Sequence, residues 1–129
     1  MNRLELSATA STPAVLADPE LGLLELRGDS YPENSFQFFT PVLEWVQTYL
    51  GERQGSLRLE LHLLYLNTSS VKVMMDLFDL LEGVHQDGRP VSVTWYYAPE
   101  NSRIAELAEE FKEDCTFPFD IVTTDESRE

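Results

Sequence analysis

Leu57–Leu66 and the segment just after it constrain the fold more than any other stretch. Leu57, Leu59, Leu61 and Leu63 alternate with Arg58, Glu60 and His62, and the run then turns fully apolar at Leu63-Leu64-Tyr65-Leu66. Alternation with a period of two describes a strand with one buried and one wet face. Asn67-Thr68-Ser69-Ser70 comes next, then Val73, Leu77, Leu80, Leu81 and Val84 at helical spacing as far as Gln86. Asp87-Gly88 ends that helix, and Val91, Val93, Trp95 and Tyr97 alternate with Ser92, Thr94 and Tyr96 in a second strand. A strand, a helix and a strand in this order imply parallel pairing through a right-handed crossover. A parallel sheet covered on both faces carries continuous apolar strands. Here Arg58, Glu60, His62, Ser92 and Thr94 share one face, so that face is expected to be wet. The helices therefore belong mainly to the other face, in two layers.

The remaining segments extend the pattern. Ser7 to Pro13 is small and polar and reads as a loop before a short extended piece, Ala14 to Leu16. Asp18-Pro19-Glu20 signals a turn, Leu21 to Arg27 reads as a strand, and the two pieces suit a hairpin. Tyr31-Pro32-Glu33-Asn34-Ser35 has the residues of a helix entry, and the helix runs to about Leu50. Phe36, Phe39, Leu43, Val46 and Leu50 fall on one face of it. Pro41 predicts either a kink or a new helix start capped by Thr40. A third helix spans Asn101 to Glu113 through Ile104, Leu107, Ala108 and Phe111. Phe117 to Val122 gives a last strand, and residues 123–129 read as a frayed polar tail. The expected architecture is a single α/β domain over residues 1–129, with a mixed, mostly parallel sheet of four to five strands and helices mainly on one face.

With 129 residues, 43% of them hydrophobic, the chain can fill one core. No apolar run reaches the roughly 20 residues of a membrane-spanning helix, and the N-terminus lacks a secretory pattern, so the expected place is the cytoplasm. Nine basic against 23 acidic side chains leave a formal charge of −14. Such a surface repels phosphate backbones and anionic lipid, which argues against nucleic-acid binding and membrane insertion and favours basic protein partners. A lone cysteine, Cys115, allows no internal disulfide.

Nothing in the chain has the arrangement of a catalytic centre. Cys115 is far in sequence from His62 and His85, and no nucleophile–base pair, phosphate loop or metal-ligand spacing stands out. Asp76, Asp79 and Glu82 recur every three residues, as any solvated helix face would. No cofactor is expected.

Asn67-Thr68-Ser69-Ser70 stands where a buried strand hands over to a helix. One such residue suffices as a cap, contributing about 0.5–2 kcal/mol, and the others are then ordinary loop residues. The functional reading starts from position: the carboxyl ends of parallel strands form the binding side of open α/β sheets. A helix N-terminus also tolerates a phosphate. Phosphorylating Thr68 would add about −1.5 to −2 charges there without breaking the helix. Three neighbouring hydroxyls leave Ser69 and Ser70 as alternative acceptors.

Leu64 to Ser70, Ser11-Thr12-Pro13, Gly28 to Asn34 and Trp95-Tyr96-Tyr97 closely resemble the SiaC family of regulatory phosphoproteins, over nearly the whole chain. The resemblance implies a fold like the STAS domains of anti-sigma-factor antagonists. It implies a bacterial, non-enzymatic partner-switching role with a Ser/Thr protein kinase, a PP2C-type phosphatase and a GGDEF diguanylate cyclase. The unphosphorylated form would bind the cyclase and promote cyclic di-GMP synthesis, aggregation and biofilm. The family's phosphorylated threonine falls on Thr68. STAS antagonists usually carry Asp-Ser/Thr-Ser-Gly at this junction, whereas Asn67 and Ser70 occupy the outer positions here, which counts against a sigma-factor partner. The expected docking surface comprises Asn67, Thr68, Ser69 and Ser70, bordered by Tyr31, Pro32, Glu33 and Asn34. The competing readings are an acidic inhibitor that blocks a basic site by charge alone, an anti-sigma-factor antagonist acting on another partner, and a nucleotide-binding module.

Overall fold

The computed structural model describes residues 1–124. Among these, six strands and three helices succeed one another as β1 (Leu4–Leu6), β2 (Ala14–Asp18), β3 (Leu23–Ser30), α1 (Ser35–Glu52), β4 (Leu57–Leu66), α2 (Thr68–Gln86), β5 (Val91–Tyr97), α3 (Ser102–Glu113) and β6 (Phe119–Thr123). The strands lie side by side in sequence order. β1, β2 and β3 pair antiparallel, and β3 through β6 pair parallel. Each parallel step is bridged by one helix, as the strand–helix alternation requires.

Register explains the two faces. Leu24, Leu59, Val93 and Phe119 stand in one row across β3 to β6, and all four are buried. The neighbouring row of Glu25, Glu60, Thr94 and Asp120 points away from the core. Val42, Val46, Met74, Leu77, Ile104 and Ala108 of the three helices join the first row in one apolar cluster. Each large side chain among them stabilises the fold by about 1.5–3 kcal/mol on burial. The other sheet face carries salt bridges, Arg27 to Glu25 at 2.9 Å and Arg58 to Glu60 at 3.3 Å. The expected two-layer α/β arrangement holds.

Several expectations need correction. The sheet has six strands among the described residues instead of four or five, because the three-residue β1 adds an edge strand against β2. α1 runs unbroken through Pro41, with no new start at Thr40. The Thr40 hydroxyl instead donates to the Phe36 carbonyl at 2.8 Å. The buried face of α1 is carried by Phe39, Val42, Trp45, Val46 and Tyr49, while Phe36 is exposed. Thr123 belongs to β6, and the Thr124 N–H donates to the Tyr97 carbonyl, so the tail does not begin at 123. The rest of the expected tail, 125–129, lies outside the described residues.

The far end of the sheet from β4's carboxyl terminus is tied by Arg89. Its guanidinium donates to the carbonyls of Gly55 (2.9 Å), Leu50 (3.0 Å) and Arg53, and lies over the Tyr49 ring. A cation on the last carbonyls of α1 satisfies groups that have no helical partner and opposes the helix dipole.

Candidate functional site

β3 and β4 end side by side, and α1 and α2 start from those two ends. Between Gly28 and Asp29 the pairing slips by one residue: Gly28 faces Leu63, but Asp29 faces Tyr65. Leu64 is the extra residue of a bulge, a device that re-aims side chains. The run Leu63-Leu64-Tyr65-Leu66 is therefore not uniformly buried. Leu63 and Leu66 enter the core, and Leu64 and Tyr65 are about half exposed, at 49% and 51%.

Asn67 then caps α2, its Oδ1 accepting the Ser70 N–H at 2.9 Å. Its backbone N–H donates to Ser30 O at 2.9 Å, and its Nδ2 donates to Pro32 O at 3.3 Å. One side chain thus starts α2 and pins the loop that starts α1. An aspartate at 67 would have no N–H for the Pro32 carbonyl. Asn34 caps α1 in the same way, accepting the Gln37 N–H at 2.9 Å.

Behind the caps lies a closed cluster of hydroxyls. Ser70 Oγ is 2.7 Å from Ser30 Oγ, 3.0 Å from Ser35 Oγ and 3.2 Å from Ser30 O. All three serines are buried and hydrogen-bonded, as burial of a hydroxyl demands. Ser70 is therefore a structural residue where the wider pattern has glycine. Expecting it as a phosphate acceptor or a partner contact is corrected: its hydroxyl has no access to solvent. Pro32 is likewise buried, so it shapes the loop without offering a surface.

Thr68, Ser69, Tyr31, Glu33 and Asn34 are exposed, and Asn67 is half-buried. Ser69 Oγ is held by Ser35 Oγ at 2.7 Å and by Asn67 Oδ1 at 3.3 Å. Thr68 is the first residue of α2, and no side chain among the described residues bonds its hydroxyl. Neither α1 nor α2 has an acidic residue in its first turn, despite the −14 charge of the chain. The partial positive charge of these N-termini therefore meets no acid within the first helical turn itself.

Exposed apolar side chains gather at the same end of the molecule as Thr68. Seven large hydrophobic residues are exposed among those described, and five of them, Tyr31, Phe36, Leu64, Tyr65 and Met75, belong to the ends of β3 and β4 or the opening turns of α1 and α2. Tyr31 and Tyr65 meet edge to face at 6.1 Å. On the α3 side a groove of about 470 Å³ opens, lined by Tyr65, Leu66, Val71, Arg103, Ile104 and Leu107. Asn101, the cap of α3, also lines it and donates to Leu64 O at 3.1 Å. Gathered apolar exposure of this kind marks interaction surfaces.

Three titratable residues elsewhere, His62, Cys115 and Glu82, have shifted pKa values with structural causes. Burial, then Arg27, lowers the pKa of His62, whose ring stacks on Tyr96 at 4.5 Å. Donor atoms of Glu25, Glu60 and His62 lie within 4.8 Å of one another, but Arg27 and Arg58 already pair with the two carboxylates. Burial, then Glu82, raises the Cys115 thiol to about 11, which keeps it protonated and a poor nucleophile. Glu82 is not merely a solvated helix residue. It accepts the Thr116 hydroxyl at 2.6 Å, the Thr116 N–H at 2.8 Å and the Gln86 amide at 2.8 Å. These bonds lower its pKa to about 2.

Known proteins share this architecture. Residues 6–124 match the model of the SiaC family of regulatory phosphoproteins. An uncharacterized protein of Pseudomonas aeruginosa is 56% identical over 126 residues, which cover 98% of this chain and all of that protein. The structure of SiaC of Pseudomonas aeruginosa superposes with a TM-score of 0.91 at 54% identity, covering 95% of this chain and 99% of that one. A structure of the diguanylate cyclase SiaD in complex with its activator SiaC, from the same organism, contains a chain that matches at 56% identity with a TM-score of 0.90, covering 93% of this chain and 98% of that one. On these grounds the chain belongs to the SiaC family of regulatory phosphoproteins.

Proposed function

We propose that this chain is a cytoplasmic, non-enzymatic partner-switching protein governed by phosphorylation of Thr68. In the unphosphorylated form it binds and activates a GGDEF diguanylate cyclase, raising cyclic di-GMP and favouring aggregation and biofilm. A Ser/Thr protein kinase adds the phosphate and releases the cyclase, and a PP2C-type phosphatase resets the switch. The observation that carries this reading is the position of Thr68: exposed, at the start of α2, at the end of the molecule where Tyr31, Phe36, Leu64, Tyr65 and Met75 are also exposed. The relative SiaC, which activates the cyclase SiaD in a solved complex, supports the choice of partner.

The mechanism is electrostatic. A partner that covers Thr68 meets a neutral hydroxyl, which a single hydrogen bond satisfies. A phosphate in its place is an anion of about −2 charge that loses most of its water when covered, at a cost of several kcal/mol that a single solvated side-chain cation does not offset. Each 1.4 kcal/mol is about tenfold in affinity, so one phosphate weakens binding about a hundredfold or more. The fold itself is untouched, because the hydroxyls that hold it together belong to Ser30, Ser35 and Ser70. Ser69, which is exposed but tied to Ser35, is the less suited acceptor. A pull-down with the cyclase tests the reading: Thr68→Ala is expected to bind and Thr68→Asp to bind weakly. Wild-type binding by both would contradict it.

A further inference from the structure

One turn beyond Thr68, on the same outward face of α2, stands the single lysine of that helix. With 3.6 residues per turn, Ser69 and Ser70 turn toward α1 and the sheet, while Thr68, Lys72 and Met75 line up outward. Lys72 is 77% exposed at its side chain and pairs with Asp76 at 3.7 Å, one turn further on. That is a long, solvated contact, and contacts of this kind are weak.

Resting on the reading of Thr68 as the phosphate acceptor, we propose that Lys72 is the internal counter-ion of the phosphate, moving from Asp76 to phosphothreonine 68 when the mark is made. An acid at i with a lysine at i+4 is the favourable orientation on a helix, and the phosphate brings more charge than the Asp76 carboxylate. The phosphate would also lie at the end of the helix where the dipole favours an anion, whereas Asp76 lies in its middle. The exchange has a consequence for the patch. Lys72 leaves the neighbourhood of Met75 and Asp76 and lies across the face that a partner would cover. It also favours the dianion, which raises the share of the doubly charged form near neutral pH.

Other ionisable groups at this end include Asp29 at the end of β3, Tyr31 and Glu33 on the connection from β3 to α1, Tyr65 on β4, Glu100 just before α3, and Arg103 on α3. Arg103 is the rival cation, since it lines the groove beside Leu66 and Val71. The test is a ³¹P NMR pH titration of the full chain phosphorylated by its kinase, with the phosphate located by mass spectrometry. Lys72→Gln is expected to raise the second pKa of the phosphate by about 0.2–0.4 unit, the size of an i,i+4 ion pair. Asp76→Asn is expected to lower it, because Lys72 then has no competing acid. An unchanged pKa in Lys72→Gln, or a rise in Arg103→Gln that exceeds it, would overturn the assignment to Lys72. A phosphate located elsewhere than on Thr68 would instead overturn the reading on which it rests.

Discussion

Ser35 and Ser69 join the first turns of α1 and α2 through a hydroxyl contact of 2.7 Å. Beneath it, Ser70 reaches both Ser35 and Ser30, so the two helices start as one rigid platform. The platform separates roles within a run of similar residues: Ser70 holds the fold, Ser69 braces the two helices, and Thr68 faces outward.

Ser70→Ala removes the group that links Ser30 to Ser35 and leaves buried hydroxyls short of a partner. The expected loss is about 1–3 kcal/mol of folding stability, read as a lower urea midpoint with an unchanged slope. Thr68→Ala, with no side-chain bond to lose, is expected to leave the midpoint nearly unchanged.

Tyr65 is half exposed and makes its ring contact with Tyr31, itself at the surface. Tyr65→Ala is expected to weaken cyclase binding by about tenfold or more, as aromatic anchors of interfaces do, with little change in melting temperature. Calorimetric titration checks the first effect and thermal denaturation the second.

Gly22 has φ +61° in the connection between β2 and β3, and a Cβ there would collide with Ser56 O and come within 2.7 Å of Tyr49 Oη. The Tyr49 hydroxyl donates to that same carbonyl at 2.8 Å, so neither neighbour is free to yield. Gly22→Ala is expected to cost about 1–3 kcal/mol, measured by chemical denaturation.

Glu82 carries a pH dependence of definite sign. Its hydrogen bonds to Thr116, then Gln86, lower its pKa from 4.5 to about 2. A depressed carboxyl pKa stabilises the folded state fully above the unfolded value and loses that contribution as pH falls through the folded one. The stability advantage of the wild type over Glu82→Gln is therefore expected to be constant well above pH 4.5 and to shrink between pH 4.5 and about 2. Urea midpoints at several pH values check it; an advantage that grows on acidification would contradict it.

Much of the fold was legible in the sequence, and the parts that were not have physical causes. The alternation in β4 and β5 revealed the one-sided sheet because period-two patterning survives wherever one face stays wet. β1 was not legible, since three residues carry no period. In α1 apolar residues occur on nearly every side, so Phe36 could be placed on the buried face as readily as Trp45 or Tyr49. Only the packing against the sheet decides between them. The exposure of Leu64 and Tyr65 depends on the bulge opposite Gly28, a property of pairing and not of the run itself. At the site, the capping role of position 67 could be read locally. Its bond to Pro32, 35 residues away, could not. The same holds for Glu82 and Thr116, 34 residues apart.

The central claim is that a phosphate on Thr68 decides whether the apolar patch around it can be covered. The most direct measurement is the affinity of the cyclase for this protein, phosphorylated at Thr68 or not, by isothermal titration calorimetry at one salt concentration. The account predicts a Kd at least about a hundredfold weaker for the phosphorylated form. Equal affinities for the two forms would contradict it.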